Sequence, residues 1–392
     1  MAIVSADGSK TLYTFFPEVV AGSPVTGAYQ TLRAKAGVKF DLTRNTFASQ
    51  DLRSDRQEAA LVYGTKSGSI SLPIEWSYGT YDALIEAVMG GTWTADVLKI
   101  GNVARTFSFE ETASDLGITE LVKGVQFGEF SVSQKNDAIA DGTISGMFRD
   151  VQIAQTKGVN IAVDSTAKTI TRATAGFNTI DGFPLVTAGV PVLKVSMKGN
   201  ADAGNNDTVW TVTTLTDTVM TMTTMAGAVT KTTTAGITVN QGTISSSVVA
   251  ATSNTPFDSF SGSITEGGAV IAHVTGWDLK VAQEVKPNFA LGSDAAQSVS
   301  VGTVKVTGNI TVYYVDQAMR KKFANGVGTS LSLVMGKNTA QGGNGKYTFD
   351  LGTVKYSSNS RDNSAAARIE SLAFTATYDT TNGSTLKITR AV

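Results

Sequence analysis

Two distant stretches of the chain run through the same series of features, and no other property constrains its fold as tightly. The first begins at Phe40 with "FDLTRNTFASQDLRSDRQ", continues as "GTKSGSISLPIEW" and leads into "SYGTYDALIEAVMGGTW". The second begins at Trp277 with "WDLKVAQEVKPNFALGSD", continues as "GTVKVTGNITVYY" and leads into "VDQAMRKKFANGVGTSLSL". In both, an aromatic-Asp-Leu opens a strand, a polar or charged loop follows, a Gly-x-Ile-x strand returns and a short helix closes the unit. From the aromatic to the glycine is 28 residues in the first copy (68 minus 40) and 31 in the second (308 minus 277). Repetition at this scale makes the chain two related halves.

The first helix is marked by Tyr81, Leu84, Ile85, Val88 and Met89, a stripe at helical period. Thr80 is placed to cap it, Asp82 suits the positive end of its dipole, and Gly90-Gly91 stops it. In the second helix Val315, Met319 and Phe323 share a face, Arg320, Lys321 and Lys322 sit near the negative end, and Asn325-Gly326 closes it. That basic cluster completes the dipole more simply than it grips a partner.

Between the copies the texture changes. From about 158 to 242, short β-branched runs alternate with Thr and are broken by Gly, Asn and Asp. This pattern reads as a separate small β-sandwich inserted between the halves, with "GNADAGNNDT" (199–208) as a hairpin loop and "TNG" (381–383) as a hairpin turn further on. The expected division is a first domain at 1–157, the insertion at 158–250 and a second domain at 251–392.

Composition removes most chemistry. There is no Cys and one His, His273, so thiolate and histidine-cluster metal sites, disulfides and a cysteine nucleophile are excluded. His273 reads as a strand residue. "GGNGK" (342–346) lacks the spacing of a phosphate loop and reads as a turn. Trp76, Trp93, Trp210 and Trp277 are scattered, as core residues are, and do not form a sugar platform. The net charge of −1 carries no basic stripe for gripping nucleic acid. No apolar run reaches the length of a membrane helix, and the first residues lack the pattern of a signal peptide. The expectation is a non-enzymatic building block without cofactor, defined by its interfaces.

One loop concentrates charge in a chain that is only 17% charged. Residues 43–64, "TRNTFASQDLRSDRQEAALVYG", carry Arg44, Asp51, Arg53, Asp55, Arg56 and Glu58. Balanced charge of this kind suits a self-complementary contact that sets register while keeping the free subunit soluble, and charge alone fits as well an ordinary solvated loop whose ion pairs contribute little.

Residues 25–95, with "TFASQDLRSDRQ", the "G-x-I-x-L" strand and "WSYGTYDALIEAVMGGTW", resemble the major tail tube proteins of long, flexible-tailed bacteriophages. The order in the second half, "VTGNITVYY" with a helix after it and a terminal "ATYD…ITR", fits the same family. Gln50 stands where an acidic residue is common, and Ala59–Leu61 also depart. The resemblance implies a mainly β fold with two tandem tube-type β-sandwich or barrel domains, each with a flanking helix, and an inserted immunoglobulin-like module. It implies homotrimeric, pseudo-hexameric rings stacked into a tube, in a virion tail assembled in the host cytoplasm. Partners would be its own copies, a tape-measure protein, a tail terminator and tail-tip proteins, with double-stranded DNA passing through the lumen and no membrane contact. The charged loop would reach an adjacent ring through Arg44, Arg53, Asp55 and Arg56, with Arg361, Asp362 and Arg368 as counterparts in the second half. The alternative is a carbohydrate-binding decoration protein or adhesin acting through the inserted module.

Overall fold

The computed structural model describes residues 7–51, 54–55, 57–184, 186, 193–200, 202–206, 208–259, 261–336, 345–362 and 367–391. The fold is mainly β. The first half runs β1 (Thr11–Pro17), β2 (Ala28–Thr31), β3 (Lys39–Ala48), β4 (Leu61–Glu75), α1 (Asp82–Met89), β5 (Val97–Lys99), β6 (Phe107–Ala113), β7 (Ile118–Lys135), β8 (Asp141–Phe148) and β9 (Asp150–Gln152). The insertion holds β10 (Gln155–Asp164), β11 (Thr169–Arg172), β12 (Leu193–Lys198), β13 (Trp210–Leu215), β14 (Val219–Met222) and β15 (Lys231–Gln241), and β16 (Ser247–Val249) follows it. The second half runs β17 (Ser263–Glu266), β18 (Ala269–Val270), β19 (Val274–Asn288), β20 (Ser298–Tyr313), α2 (Ala318–Ala324), β21 (Thr329–Gly336), β22 (Lys346–Asp362), β23 (Ile369–Thr377) and β24 (Lys387–Ala391).

The repeat is a repeat of register. Phe40 lies opposite Ile70 and Leu42 opposite Gly68 in the β3–β4 pair. Trp277 lies opposite Ile310 and Leu279 opposite Gly308 in the β19–β20 pair. The next strand repeats too, with Gly68 opposite Phe148 on β8 and Gly308 opposite Phe374 on β23. A Cβ at either glycine would run into that phenylalanine ring. Each half therefore leaves one strand position bare so that an aromatic ring can lie across it.

The halves do not keep separate cores. β7 pairs with β19 from Glu129 opposite Ala282 to Lys135 opposite Gly276. The last strand, β24, returns to pair with β5 of the first half. Trp76, Phe130, Trp277 and Phe349 are buried in one joint cluster, and the Trp76 and Phe349 rings meet edge to face at 6.5 Å. Trp76 and Trp277 are thus core residues, their indole N–H groups donating to the Ser131 carbonyl and to Gln134 Oε1.

The inserted module has its own core, built on Ile161, Trp210, Met220, Val239 and their neighbours. The module closes as a six-stranded antiparallel barrel in the order β10-β11-β14-β13-β12-β15, where the alternation had suggested a two-sheet sandwich. The 199–208 loop joins the paired strands β12 and β13, as a hairpin loop should.

The helix signals hold in outline. In α1, Leu84, Ile85, Val88 and Met89 are buried, and Gly90 ends the helix in the left-handed region at φ 60°. Thr80 does not cap it. Its hydroxyl bonds Ser77 and Thr252, and Tyr81 occupies the cap position without capping the helix, its hydroxyl donating instead to the Arg33 carbonyl. Val315 lies outside α2 and is exposed, while Met319 is buried. Lys322 pairs with Glu266 at 3.1 Å. His273 sits in the turn before β19 instead of in a strand. "TNG" makes a turn with Gly383 at φ 64°, closed by an antiparallel bridge between Asp379 and Ser384, although among the described residues β23 and β24 themselves do not pair. The "GGNGK" turn lies mostly outside the described residues.

Candidate assembly surfaces

Hydrogen bonding links eight strands side by side in the order β3-β4-β8-β7-β19-β20-β23-β22. Among the described residues, β3 pairs only with β4, and the C-terminal part of β22 pairs only with β23. The sheet thus ends in two open edges, one from each half. The β7–β19 seam in the middle shows how such edges join: the strand that ends the first half's side-by-side order β3-β4-β8-β7 accepts the first long strand of the second half. A long, unguarded edge is a template for pairing with another chain. The clasp beside the seam joins the halves a second way. Asp82, at the start of α1, accepts from Tyr347 Oη and pairs with Arg390, whose guanidinium lies 4.7 Å from the Trp93 ring centroid.

The β3–β4 hairpin reaches beyond the core. Nearly all of β3 is exposed. Near the hairpin end Phe47, Leu61, Val62 and Tyr63 are 55–65% exposed, so the charged loop sits on an apolar base. Arg44 is already engaged within the chain. It pairs with Asp294 at 3.4 Å, in the loop after β19, and covers the Tyr63 ring at 4.7 Å. Asp294 also takes Lys66 at 3.2 Å. Asp51 and Asp55 are exposed, and Asp55 Oδ1 accepts from the Gln57 N–H at 3.3 Å. Arg53 and Arg56 lie outside the described residues.

The structure brings Arg361 and Arg368 together on one ring. Their guanidinium carbons lie 4.6 and 4.5 Å from the Tyr314 centroid, at the far end of the β22–β23 hairpin. Arg361 also faces buried Glu370 at 3.5 Å, and Asp362 is exposed beside it. These two hairpin ends carry the residues singled out by charge, and the structure keeps them as two separate groups.

The insertion is tied to the first half by a buried carboxylate. Glu110, on β6, accepts from the Ile244 and Ser245 N–H groups just after β15 and from Thr14 Oγ1. Lys194 donates to the Ser245 carbonyl at 2.9 Å. Burial pushes the Glu110 carboxyl up, against the hydrogen bonds that hold it down. Gln152 and Gln241, where the chain enters and leaves the barrel, are bonded side chain to side chain at 3.1 Å.

Among the described residues no group of three His, Cys, Asp or Glu side chains is placed to hold a metal ion, and no helix is long and apolar enough to cross a membrane. A hollow beside Gln134, Gly262 and Trp277 measures about 140 Å³ and a larger one along residues 90–103 about 560 Å³, and neither converges a nucleophile, base and orienting group.

Comparison with known families gives a match to the phage tail tube proteins over residues 8–214 and 216–376. The chain belongs to the phage tail tube protein family. No curated protein matches it. Family membership makes it a structural component of a virion tail that assembles with its own copies into a tube. Charge alone overlooked the open edges, Tyr314 and the apolar hairpin base. The edges had no local signal, since an edge is defined by strands elsewhere. The apolar base did have one, in "LVY" at 61–63 directly after the charged loop.

Proposed function

We propose that three copies of this chain close into a ring in which first and second halves alternate, giving pseudo-sixfold symmetry, and that rings stack into the tube of a flexible, non-contractile tail. The observation that carries this is the eight-stranded sheet with one open edge from each half, beside an internal seam of the same kind. Joining β22 of one copy to β3 of the next repeats the β7–β19 relation around the ring. Closure removes the edges, as barrels do. The lumen would then be lined by this sheet and would conduct double-stranded DNA into the host at ejection.

Along the axis, a head-to-tail contact propagates without end. The β3–β4 hairpin end, with Arg44, Arg53, Asp55 and Arg56, is proposed as the contact with an adjacent ring. Arg361, Asp362 and Arg368 are proposed as its counterparts at the other hairpin end. In this reading the protein has no catalytic role. A tape-measure protein, a terminator and tail-tip proteins complete its partners, and assembly takes place in the host cytoplasm. Residues 1–157 and 251–392 are proposed as the tube halves and 158–250 as the insertion, whose barrel strands run from Gln155 to Gln241; the insertion is proposed to belong with the immunoglobulin-like decoration modules and to project outward.

Negative-stain electron microscopy of the purified protein over a concentration series tests the reading. Rings or hollow tubes with threefold or pseudo-sixfold end views are expected. Discrete particles at every concentration, also in the presence of preformed tail tips, would falsify it.

A further inference from the structure

The face of the eight-stranded sheet turned away from the core has an unusual composition. Residues directly opposite one another in paired strands share a face. One row crosses the sheet as Lys39, Ser71, Ser145, Glu129, Ala282 and Lys305. The next rows hold Ser131, Lys280, Thr307, Thr375 and Lys355, then Glu75, Asp141, Ser133, Asp278 and Asn309. The core-facing positions between them are Leu72, Ile144, Phe130, Val281 and Val306, all buried. Of these sixteen outward positions eight are charged and six carry hydroxyls, and the one apolar member, Ala282, is small.

Its charges balance. The cations along these rows and the two that flank them are Lys39, Lys135, Lys280, Lys305 and Lys355. The anions are Asp41, Glu75, Glu129, Asp141 and Asp278. Several are held against each other. Lys280 Nζ lies 2.8 Å from Glu129, and Asp141 takes Lys35 at 3.5 Å. Lys135 and Lys305 sit in the fields of Asp278 and Glu284. Three of the anions, Glu75, Asp141 and Asp278, fall on one row, so an acidic belt lies next to rows that carry the lysines.

We infer that this face is a slip surface for duplex DNA: a polar lining of lysines offset by neighbouring carboxylates, with hydroxyls between them, so that passing phosphate finds no net charge to hold. The inference rests on the tube reading and adds to it the electrostatic character of the lining. Retention of DNA by a protein comes from cations that displace condensed counterions, so its salt dependence counts the uncompensated ones. A lining of balanced charge offers none, while its serines and threonines stay hydrated. An acidic lining would achieve release by repulsion. This one achieves it by cancellation, which removing carboxylates would undo.

The isolated chain leaves the face open, so binding is measured on it directly, by fluorescence anisotropy with a labelled DNA duplex between about 50 and 200 mM salt. The wild-type chain is expected to show no salt-dependent binding. A Glu75→Gln/Asp141→Asn/Asp278→Asn chain, altered only at positions off the core, is expected to gain at least about tenfold affinity at the low end and to lose it at the high end. Two results overturn the inference: salt-dependent binding by the wild-type chain, or a triple variant as silent as wild type. Microscopy of the same samples separates the two readings. Tubes that retain DNA sink the slip surface and leave the tube intact, whereas failure to assemble counts against the tube alone.

Discussion

Gly68 and Gly308 do the same work 240 residues apart, and each can be tested by one substitution. Each lets a phenylalanine from the neighbouring strand lie flat across a strand. Gly308→Val would push a side chain into the Phe374 ring, which is 1% exposed and has no room to yield. A loss of about 1–3 kcal/mol is expected, the usual cost of overpacking a dense core. Thr307→Val, one residue away on the outward face, should change stability by less than about 0.5 kcal/mol. Equal thermal midpoints for the two variants would show that the aromatic cover is not needed. A second residue-scale test concerns charge. Glu111 and Glu120 face each other across β6 and β7, and burial followed by their mutual repulsion pushes the Glu111 carboxyl up. An acid whose pKa is raised by folding holds its proton more tightly in the native state. Its stabilising contribution is therefore present at low pH and is lost as pH rises from the ordinary 4.5 through the raised value. Glu111→Gln should raise stability at neutral pH by about 0.5 kcal/mol and flatten the decline above pH 4.5. Melting curves at several pH values would detect this, and an unchanged slope would remove Glu111 from the account.

At the scale of elements, the repeat was legible because register demands it. The aromatic must oppose Ile and the Leu must oppose Gly, so both spacings survive although the loop lengths differ. The helices were legible from their apolar stripes, but the Thr80 cap was not, because its hydroxyl is claimed by Thr252 from beyond the insertion. Arg44 shows the same limit. Its charge reads as exposure in the sequence, yet it is paired with Asp294, which is 250 residues away. Closure of the inserted strands into a barrel was also hidden, since alternation reports which residues face inward but not whether the first and last strands meet. The hairpin end carries the element-scale prediction. Replacing Phe47, Leu61, Val62 and Tyr63 by Ser removes exposed apolar surface without touching the core, so the melting temperature should hold while tubes fail to form. Arg53→Glu/Arg56→Glu tests the charged part of the same contact and should likewise fold without stacking. Normal tubes from both proteins would move the axial contact elsewhere.

For the whole molecule, two kinds of coupling coexist, and they predict opposite responses to cutting. The two halves share a core, a strand seam and the Asp82–Arg390–Tyr347 clasp, so neither half should fold without the other. The inserted barrel instead has its own core and closes its own edges. Its first and last strands pair, with Gln155 opposite Asn240, so its two chain ends leave side by side. That is the geometry in which an inserted module can be removed without opening a gap. Replacing residues 155–241 by a short Gly/Ser linker should leave a protein that folds and forms tubes of the same lumen diameter with thinner walls. The linker must leave Ile244 and Ser245 in place, because their N–H groups satisfy Glu110, which would otherwise be buried without partners. Circular dichroism and microscopy of the shortened chain would check both expectations. If it folds but makes no tubes, the barrel belongs to the assembly surface after all. If it also binds a glycan array only when the barrel is present, the carbohydrate-binding alternative gains the module as its site.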